Sequence, residues 1–468
     1  MLFTSPIYLL FFPVVFAISW ALRDDRARKS FLLLASYVFY AAWDWRFLGL
    51  IALSTAVDYA AGLALSRTDA PGRRRACLAA SVIVNLGVLG FFKYFGFFVE
   101  SATALLAPLG VTASDRALGI VLPVGISFYT FQSMSYTIDV YRRQIDATPG
   151  IVDFALFVSF FPQLVAGPIV RAKSMLPQLQ RRPRLDAVDF RAAFTLFLVG
   201  FVKKSCIADG VAPSVDALFA DPTSFTVLSV WTGVLLYAVQ IYCDFSGYTD
   251  MAIASARLLG YELTPNFRFP YFARNINEFW RRWHMSLSSW LRDYLYVGVG
   301  GMRGSHWVAQ RSLMITMLLA GLWHGAAWNF VAWGALNGVA MVVHREWRRA
   351  VGPIVRDVPA RRALSIAATF LFVCTGLIVF RSPDFEVAGV VARAFLTFQS
   401  SGAESIDARW LLLFAIVSLV HGLASRGVTA RSVEALPDWA FALAFGAAAA
   451  LALAFVPMRS EPFIYFQF

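Results

Sequence analysis

The feature that most constrains this sequence is its succession of apolar stretches of about 20 residues, the length with which an α-helix crosses a bilayer. Of the 468 residues, 59% are hydrophobic and 15% are charged, too few polar side chains to cover a soluble core of this size. We therefore predict an all-α polytopic membrane protein with about 10–12 transmembrane helices. The expected crossings are residues 6–22, 30–45, 46–65, 77–99, 118–140, 189–207, 226–245, 363–380, 410–424 and 438–457.

Lysine and arginine gather in short clusters between the apolar stretches, although the net charge is as high as +12. Short basic loops stay on the cytoplasmic side, where they also contact anionic membrane lipids. A nucleic-acid partner is not expected, because the basic residues do not line one soluble face. Residues 208–224 contain three aspartates and no basic residue, which predicts that they lie outside, together with both termini. The predicted cytoplasmic segments are residues 23–29, 67–75, 141–144, 171–184 and 345–362.

Two further apolar segments, residues 151–171 and 312–343, have basic residues at both ends and do not fit as single crossings. The first is also interrupted by Pro162 and Pro168. We predict that each is a re-entrant hairpin, which implies an internal cavity, because irregular backbone at membrane depth needs polar partners. A 12-residue leg starting at residue 312 would reach about 18 Å, roughly half the membrane, and would put His324 at its apex.

Residues 276–297, INEFWRRWHMSLSSWLRDYLYV, have apolar side chains at helical spacing. They predict one interfacial helix with an aromatic inner face and a basic outer face. His284 projects just inside the apolar edge, where a structural hydrogen bond and a functional role are both open. The arginines could hold the phosphates of an acyl donor or anchor the helix to lipid. The candidate substrate-binding residues of this helix are Trp280, Arg281, Arg282 and Trp283.

Residues 240–260, QIYCDFSGYTDMAIASARLLG, place carboxylates inside an apolar run. Ionisable groups in membrane segments are costly and therefore indicate a function, although a structural hydrogen-bonding role is equally open here. We expect the Ser-Gly pair to end one crossing and begin a bent half-helix. The candidate substrate-binding residues are Asp244, Ser246, Tyr248 and Asp250.

His324 lies in GLWHGAAWNF, residues 321–330, between glycines and tryptophans. A buried neutral imidazole is a suitable general base for a hydroxyl nucleophile, while a hydrogen bond between helices is the plainer alternative. The five histidines form no HExxH motif and the four cysteines no CxxC pair, so no metal site is expected. A GxSxG nucleophile motif is also missing from the sequence, which favours direct transfer over a covalent acyl-enzyme.

Four motifs resemble the membrane-bound O-acyltransferase (MBOAT) family, especially its bacterial alginate O-acetylation and D-alanyl transfer branch. The resemblance implies a ring of tilted helices, with re-entrant and interfacial helices, around a central tunnel. It maps the invariant histidine of the family onto His324 and a second histidine of the branch onto His284. Related sequences often carry a third histidine where this chain has Asn337, which cannot carry a proton near neutral pH. The motifs are residues 242–260, 266–301, 321–338 and 462–468.

The resemblance further implies a multi-pass protein of the bacterial inner membrane that moves an acyl group, most simply acetyl, from a cytoplasmic thioester such as acetyl-CoA. The acceptor would be an extracytoplasmic polysaccharide, reached directly or through an SGNH-hydrolase-like acetyltransferase partner. No bound cofactor is expected. The alternatives are D-alanyl transfer from a carrier protein and a transporter in which neither histidine performs chemistry.

We expect one integral membrane domain over residues 1–468, in which His324 is the general base and His284 orients or polarises the thioester. N-terminal helices would occupy residues 1–150, a catalytic core residues 151–345 and C-terminal helices residues 346–468. The remaining candidate substrate-binding residues are Trp323, Asn329 and Asn337.

Overall fold

A computed structural model describes residues 1–109, 121–352, 358–428, 433, 435–457 and 462–464. Packing divides the chain into two units, Met1–Phe197 with Met251–Thr264 and Leu198–Asp250 with Pro265–Phe468. Over the described ranges the β-structure is a single isolated bridge, between Phe225 and Glu404. The start of the predicted crossing 118–140, residues 353–357 of the basic loop and residues 465–468 of the last motif lie outside the described residues. The three-part division at residues 150 and 345 stays a prediction.

The first unit packs around the helix Ile126–Tyr141, whose residues from Ile126 to Thr137 are all buried. Its core includes a carboxylate, Asp58, which accepts hydrogen bonds from Thr137 Oγ1 at 2.7 Å and from Asn85 Nδ2 at 2.8 Å. These donors compensate the burial of a charged group. The helices of this unit are α1 (Pro6–Ala21), α2 (Asp25–Asp44), α3 (Leu48–Ser66), α4 (Pro71–Leu89), α5 (Phe95–Leu106), α6 (Ile126–Tyr141), α7 (Ile151–Ser159), α8 (Phe161–Leu164) and α9 (Ala172–Leu179).

The second unit has a core of aromatic and branched apolar side chains contributed by most of its helices. π-helical segments at Val202–Ala208 and Leu291–Tyr296 continue two of them. Helices α10 (Phe190–Phe201) and α12 (Val227–Leu258) contribute residues to both units. The other helices are α11 (Asp209–Ala220), α13 (Ile276–Trp280), α14 (Met285–Trp290), α15 (His306–His324), α16 (Trp328–Val351), α17 (Pro359–Arg381), α18 (Phe385–Thr397), α19 (Arg409–Ser425) and α20 (Asp438–Ala454).

Four helical stretches of the described chain are long and apolar enough to cross a membrane. The first of them, Asp25–Ser66, contains two of the predicted crossings, which meet at the 3₁₀ turn Trp45–Phe47. The others are Pro71–Leu109, Val227–Leu258 and Pro359–Arg381, and shorter apolar helices lie at Pro6–Ala21, Arg409–Ser425 and Asp438–Ala454. The predicted class, an all-α polytopic membrane protein, is confirmed.

The turn predicted at Ser246 and Gly247 is wrong, because α12 runs without interruption through both residues. Gly247 serves close packing instead of a turn. A Cβ atom at this position would collide with the backbone of Gly200 and Lys204. The glycine therefore lets two helical segments of the second unit approach each other, and Asp244 and Asp250 lie on one continuous helix.

The single interfacial helix predicted over residues 276–297 is also wrong. The segment forms α13, a turn and α14, followed by the π-helical segment. The interruption falls at His284, whose backbone adopts the left-handed conformation with φ 42° and ψ 55°. The aromatic inner face is nonetheless buried as expected, with Trp283 and Trp290 each 5% exposed.

The two predicted hairpins differ in how far the structure agrees with them. Helix α7 has nine residues, or about 14 Å, too short for a crossing, and Pro162 lies in the first turn of α8. In the second hairpin, α15 ends at His324 and α16 begins at Trp328, so the turn at His324 is confirmed. The predicted 12-residue leg is wrong: α15 has 19 residues, because the Ser305 hydroxyl caps a helix that starts before residue 312.

Candidate active site

The hairpin of α15 and α16 is held together by glycines where the two helices touch. A Cβ atom at Gly321 would collide with the carbonyl oxygen of Phe330, and one at Gly334 would collide with the carbonyl oxygen of Met317. Only residues without a side chain allow this approach. The backbone of α16 therefore approaches Gly321 closely, and this contact fixes the position of the turn that carries His324.

The imidazole of His324 lies in an aromatic cage and is 4% exposed. Its ring centroid is 5.0 Å from Trp323, 5.0 Å from Trp333 and 5.3 Å from Phe380, each in an edge-to-face arrangement. Such edge-to-face packing holds the imidazole in one orientation. An imidazole held in this way keeps one fixed direction.

His284 is completely buried, and its ring packs against Phe245 at a centroid distance of 4.7 Å. Burial lowers the pKa of the His284 imidazole to about 3. The residue lies outside the helices that are long and apolar enough to cross a membrane. Its left-handed backbone is rare for a residue with a side chain and is often maintained at functional sites. His284 is thus a neutral group, held by its surroundings in a strained conformation.

Asn266 is the residue that holds the His284 turn. Its backbone oxygen accepts from the backbone N–H of Met285 at 2.8 Å, and its side-chain oxygen accepts from the backbone N–H of Ser286 at 3.2 Å. The same side-chain oxygen lies 3.4 Å from His284 Nδ1. The asparagine is 1% exposed. The position of Asn266 at the start of the motif 266–301 is the sequence signal for this role.

Trp323 brings the two histidines into one site. Its indole centroid lies 5.9 Å from the ring of His284 and 5.0 Å from the ring of His324. The distance between the centroids of the two imidazoles cannot exceed the sum of these two distances. Both candidate catalytic residues predicted from sequence therefore lie in one cluster, on two different elements.

A small apolar cavity adjoins the aromatic cage of His324. Its volume is about 20 Å³, enough for about one water molecule. Trp283, Trp333 and Phe380 line it, together with Asn337, whose Nδ2 donates to the carbonyl oxygen of Trp333 at 2.9 Å. The amide of Asn337 therefore reaches the region of the histidines. The tunnel implied by the family resemblance stays a prediction.

The carboxylate of Asp244 takes part in a buried ion-pair cluster. Lys204 Nζ lies 2.6 Å from Asp244 Oδ1 and 2.7 Å from Asp209 Oδ1. The backbone N–H of Ile464 donates to Asp244 Oδ2 at 3.0 Å. These contacts favour the structural role that the sequence left open for Asp244. The π-helical lysine was missed, although an ionisable residue in a predicted crossing is itself a signal.

The other candidates on α12 are also engaged by protein groups or packed in the core. Asp250 Oδ2 pairs with Lys203 Nζ at 2.7 Å, and that nitrogen lies 5.6 Å from the ring centroid of Tyr242. Tyr248 and Ser246 are both 2% exposed, and the Tyr248 ring packs on Phe463 at 4.8 Å. The side of α12 that carries Asp244 and Tyr248 therefore anchors the segment 462–464.

Near His284, the tryptophans pack close to the two histidines, whereas Arg281 lies at the surface. Trp280 contacts Trp333 of the His324 cage at a centroid distance of 5.6 Å. Trp283 lies over Phe279 at 5.6 Å and lines the cavity described above. Arg281 is exposed. The predicted substrate-binding residues thus include two indoles that the structure brings to the histidine cluster.

The remaining two polar candidates lie in different environments. Arg282 Nη2 pairs with Glu278 Oε1 at 2.6 Å, so its guanidinium is partly committed to the protein. Asn329 Nδ2 donates to the carbonyl oxygen of Ser382 at 2.8 Å and ties α16 to the end of α17. Neither contact contradicts substrate binding. The Asn329 bond links two helices, which by itself gives this residue a structural role.

Comparison with known proteins identifies the family of the chain. The profile of the MBOAT family, the membrane-bound O-acyltransferases, matches residues 129–382, a range that includes both histidines and all residues of the cavity. The chain belongs to the membrane-bound O-acyltransferase family. It is an acyltransferase, and its relatives cover most of its length.

Three relatives illustrate this coverage. A probable alginate O-acetylase from Azotobacter vinelandii is 42% identical over 438 residues, which is 90% of this acyltransferase and 85% of the relative. The corresponding protein from Pseudomonas aeruginosa is 44% identical over 405 residues, 85% of this chain and 75% of the relative. A peptidoglycan O-acetyltransferase from Helicobacter pylori is 34% identical over 419 residues, 83% of this chain and 78% of the relative. Teichoic acid D-alanyltransferases are more distant.

Two residues of the acyltransferase site were not found from the sequence. Trp333 and Phe380 complete the cage around His324, but they lie on α16 and α17 and look like ordinary core residues at helical spacing. No local signal distinguishes them, since their importance comes from contact with a residue far away in sequence. Asn266, by contrast, is the first residue of the motif 266–301.

Proposed function

We propose that the protein transfers an acetyl group from acetyl-CoA, on the cytoplasmic side, to hydroxyl groups of an extracytoplasmic polysaccharide. The observation that carries the proposal is the shared contact of His284 and His324 with Trp323, within a chain that is 42% and 44% identical to two proteins named as probable alginate O-acetylases. One of those relatives is named for alginate and another for peptidoglycan, and both polymers are polysaccharides. Identity is spread over most of the chain, which favours the same reaction class.

In the proposed reaction, the hydroxyl oxygen attacks the thioester carbonyl carbon while His324 accepts the hydroxyl proton. The carbon–sulfur bond then breaks, and His324 returns the proton to the departing thiolate. The products are the acyl ester and free coenzyme A thiol, so that atoms and charge balance. His284 orients the donor, and the aromatic cage that fixes the His324 ring supports its role, because a preoriented base favours the reacting geometry.

The donor would approach along the tryptophan-lined side of α13. Arg281 is exposed and is available for the phosphates of the donor. Arg282 already pairs with Glu278, so its guanidinium would have to bind the carboxylate and a phosphate at the same time. The inner membrane of a bacterium is the proposed location, with the basic loops on the cytoplasmic side. The polysaccharide would be reached either directly or through a partner of the SGNH-hydrolase-like acetyltransferase type, as the family resemblance implies.

The proposal is tested with purified protein in detergent, labelled acetyl-CoA and a soluble oligosaccharide acceptor. We expect thioester cleavage that depends on the acceptor and is lost in His324→Ala. The matched control is His306→Ala, because His306 lies at the other end of α15 and pairs with Glu346 at 2.8 Å. Equal activity in wild type and His324→Ala would overturn the catalytic assignment. Turnover with a D-alanyl carrier protein and not with acetyl-CoA would identify D-alanine as the transferred group. Acyl uptake into vesicles by the His324→Ala protein would favour the transporter.

A further inference from the structure

The amide of Asn266 has one fixed orientation. The backbone N–H of Ser286 points at one of its two terminal atoms from 3.2 Å, and a backbone N–H can only donate a hydrogen bond. That terminal atom is therefore the carbonyl oxygen, as assigned. The amide nitrogen, Nδ2, consequently lies on the other branch of the same side chain.

This orientation also selects the tautomer of His284. The Asn266 oxygen lies 3.4 Å from His284 Nδ1, and two acceptors would repel each other at that position. The proton of the neutral imidazole is therefore on Nδ1, facing the oxygen. Nε2 then carries a lone pair and cannot donate to a carbonyl oxygen. In this tautomer His284 can orient a thioester, but it cannot polarise the carbonyl group.

A donor for that carbonyl is nevertheless present beside His284. Asn266 Nδ2 is buried and finds no hydrogen-bond acceptor among the residues that the structure describes. The whole residue is 1% exposed, so bulk water does not satisfy the group. Buried N–H groups are rarely left without an acceptor, and an unsatisfied one calls for a specific explanation. A ligand that supplies an oxygen at this point would provide it.

We propose that the Asn266 Nδ2–H group donates to the carbonyl oxygen of the acyl thioester held beside His284. This inference rests on the proposed function. When the acceptor hydroxyl adds to the carbonyl carbon, negative charge develops on that oxygen, and a preorganised N–H donor stabilises it. Asn266 is thus a substrate-contacting residue through Nδ2 and a positioning residue for His284 through Oδ1.

The test uses Asn266→Asp, which keeps the oxygen for Ser286 and His284 but replaces the donor. With acetyl-CoA we expect kcat to fall about 10²–10³-fold, the effect typical of removing one oxyanion donor. The affinity for S-ethyl-CoA, a thioether without the carbonyl oxygen, should stay within about 3-fold of wild type, because no donor contact is lost. Activity of the variant should rise as the pH falls, because a protonated aspartic acid regains an O–H donor.

The matched control is Asn275→Asp in the same segment. Asn275 caps α13 by accepting the backbone N–H of Glu278 with its side-chain oxygen, so the change removes no hydrogen bond that the cap uses. Its kcat should match wild type. If Asn266→Asp does not accumulate, the smaller neutral variant Asn266→Ser replaces it with the same acetyl-CoA and S-ethyl-CoA measurements.

Two results would overturn the inference while leaving the proposed function intact. One is an unchanged kcat in Asn266→Asp. The other is an equal loss for acetyl-CoA turnover and S-ethyl-CoA binding, which indicates a collapsed site. Wild-type protein that neither binds nor cleaves acetyl-CoA would instead refute the proposed function, and this inference with it.

Discussion

The ring centroids of the His284 imidazole and the Trp323 indole lie 5.9 Å apart, with the ring planes inclined at 57°. The same indole contacts His324. The first residue belongs to a strained turn and the second to the end of a long helix. One rigid side chain therefore sets the relative position of two groups on separate elements. Geometry of this kind affects rate strongly, because a misplacement of about 1 Å can reduce it about 10²-fold.

We expect Trp323→Ala to lose at least about 10²-fold in kcat and Trp323→Phe to lose less than about 10-fold, because a phenyl ring still separates and supports the imidazoles. The measurement is steady-state turnover of labelled acetyl-CoA. Trp307→Ala is the control, since Trp307 is 80% exposed at the opposite end of α15. Identical losses in Trp323→Ala and Trp323→Phe would show that the indole has a different role, such as donating its own N–H group.

The two histidines should respond differently to glutamine. His324→Gln is expected to lose about 10²–10⁴-fold in kcat, the usual effect of removing a general base, because an amide cannot accept the hydroxyl proton. His284→Gln should retain part of the activity, because an amide can still hydrogen-bond to the donor. Steady-state kinetics with varied thioester separates the effects on kcat and KM. A His324→Gln protein more active than His284→Gln would reverse the assigned roles.

His284 should also make the stability of the protein depend on pH. Burial lowers the pKa of this imidazole from 6.5 to about 3, so below 6.5 the unfolded chain binds a proton that the folded protein does not. Stability should therefore fall as the pH drops from 6.5 towards 3, by up to about 1.4 kcal/mol per pH unit for one proton. Unfolding temperatures in detergent at about pH 7, 6 and 5 should decline more steeply for wild type than for His284→Gln. Parallel declines would mean that the site already accepts a proton when folded.

The sequence predicted the helices and the turn at His324 well because both are encoded locally. Apolar runs specify the helices, and the glycines around His324 specify the turn. The length of α15 was misjudged because Arg311 was taken as a boundary, whereas the hydroxyl of Ser305 starts the helix. Local capping chemistry would have given the right answer.

Other features depend on residues far apart in the chain and could not be read in this way. The left-handed backbone of His284 results from Asn266, 18 residues earlier, and helical periodicity hides it. The pairing of Lys204 with Asp244 joins residues 40 positions apart, and neither partner indicates the other. Sequence patterns point to candidate chemical groups for the site, but the contacts that hold those groups depend on the tertiary structure.

The sidedness predicted from the basic loops is testable by cysteine labelling in intact cells. Arg73, Lys173 and Arg348 are exposed and should react only with a reagent that has access to the cytoplasm. Thr223, exposed in the acidic segment, should react from outside. The cysteines are introduced one at a time into a variant that lacks the four native cysteines. External labelling at position 173 would show that residues 151–171 cross the membrane and would refute that hairpin.

The last prediction concerns the cluster of Lys204, Asp209 and Asp244, which are 2%, 4% and 3% exposed. Lys204→Met keeps most of the side-chain volume but leaves two buried carboxylates without their cation. Breaking a buried ion pair in this way typically costs about 3–5 kcal/mol, so we expect a clear drop in unfolding temperature in detergent and lower abundance in the membrane. Lys173→Met is the control, because Lys173 is exposed.

Charge removal separates this explanation from a simple packing defect. The combined variant Lys204→Met, Asp209→Asn and Asp244→Asn contains no buried charge in the cluster, and an asparagine oxygen can still accept the backbone N–H of Ile464. Replacing all members of a buried ionic cluster by neutral groups is often neutral or stabilising. We therefore expect the combined variant to recover most of the unfolding temperature lost in Lys204→Met. A combined variant as unstable as Lys204→Met alone would mean that the lysine acts through its shape and packing, and not through its charge.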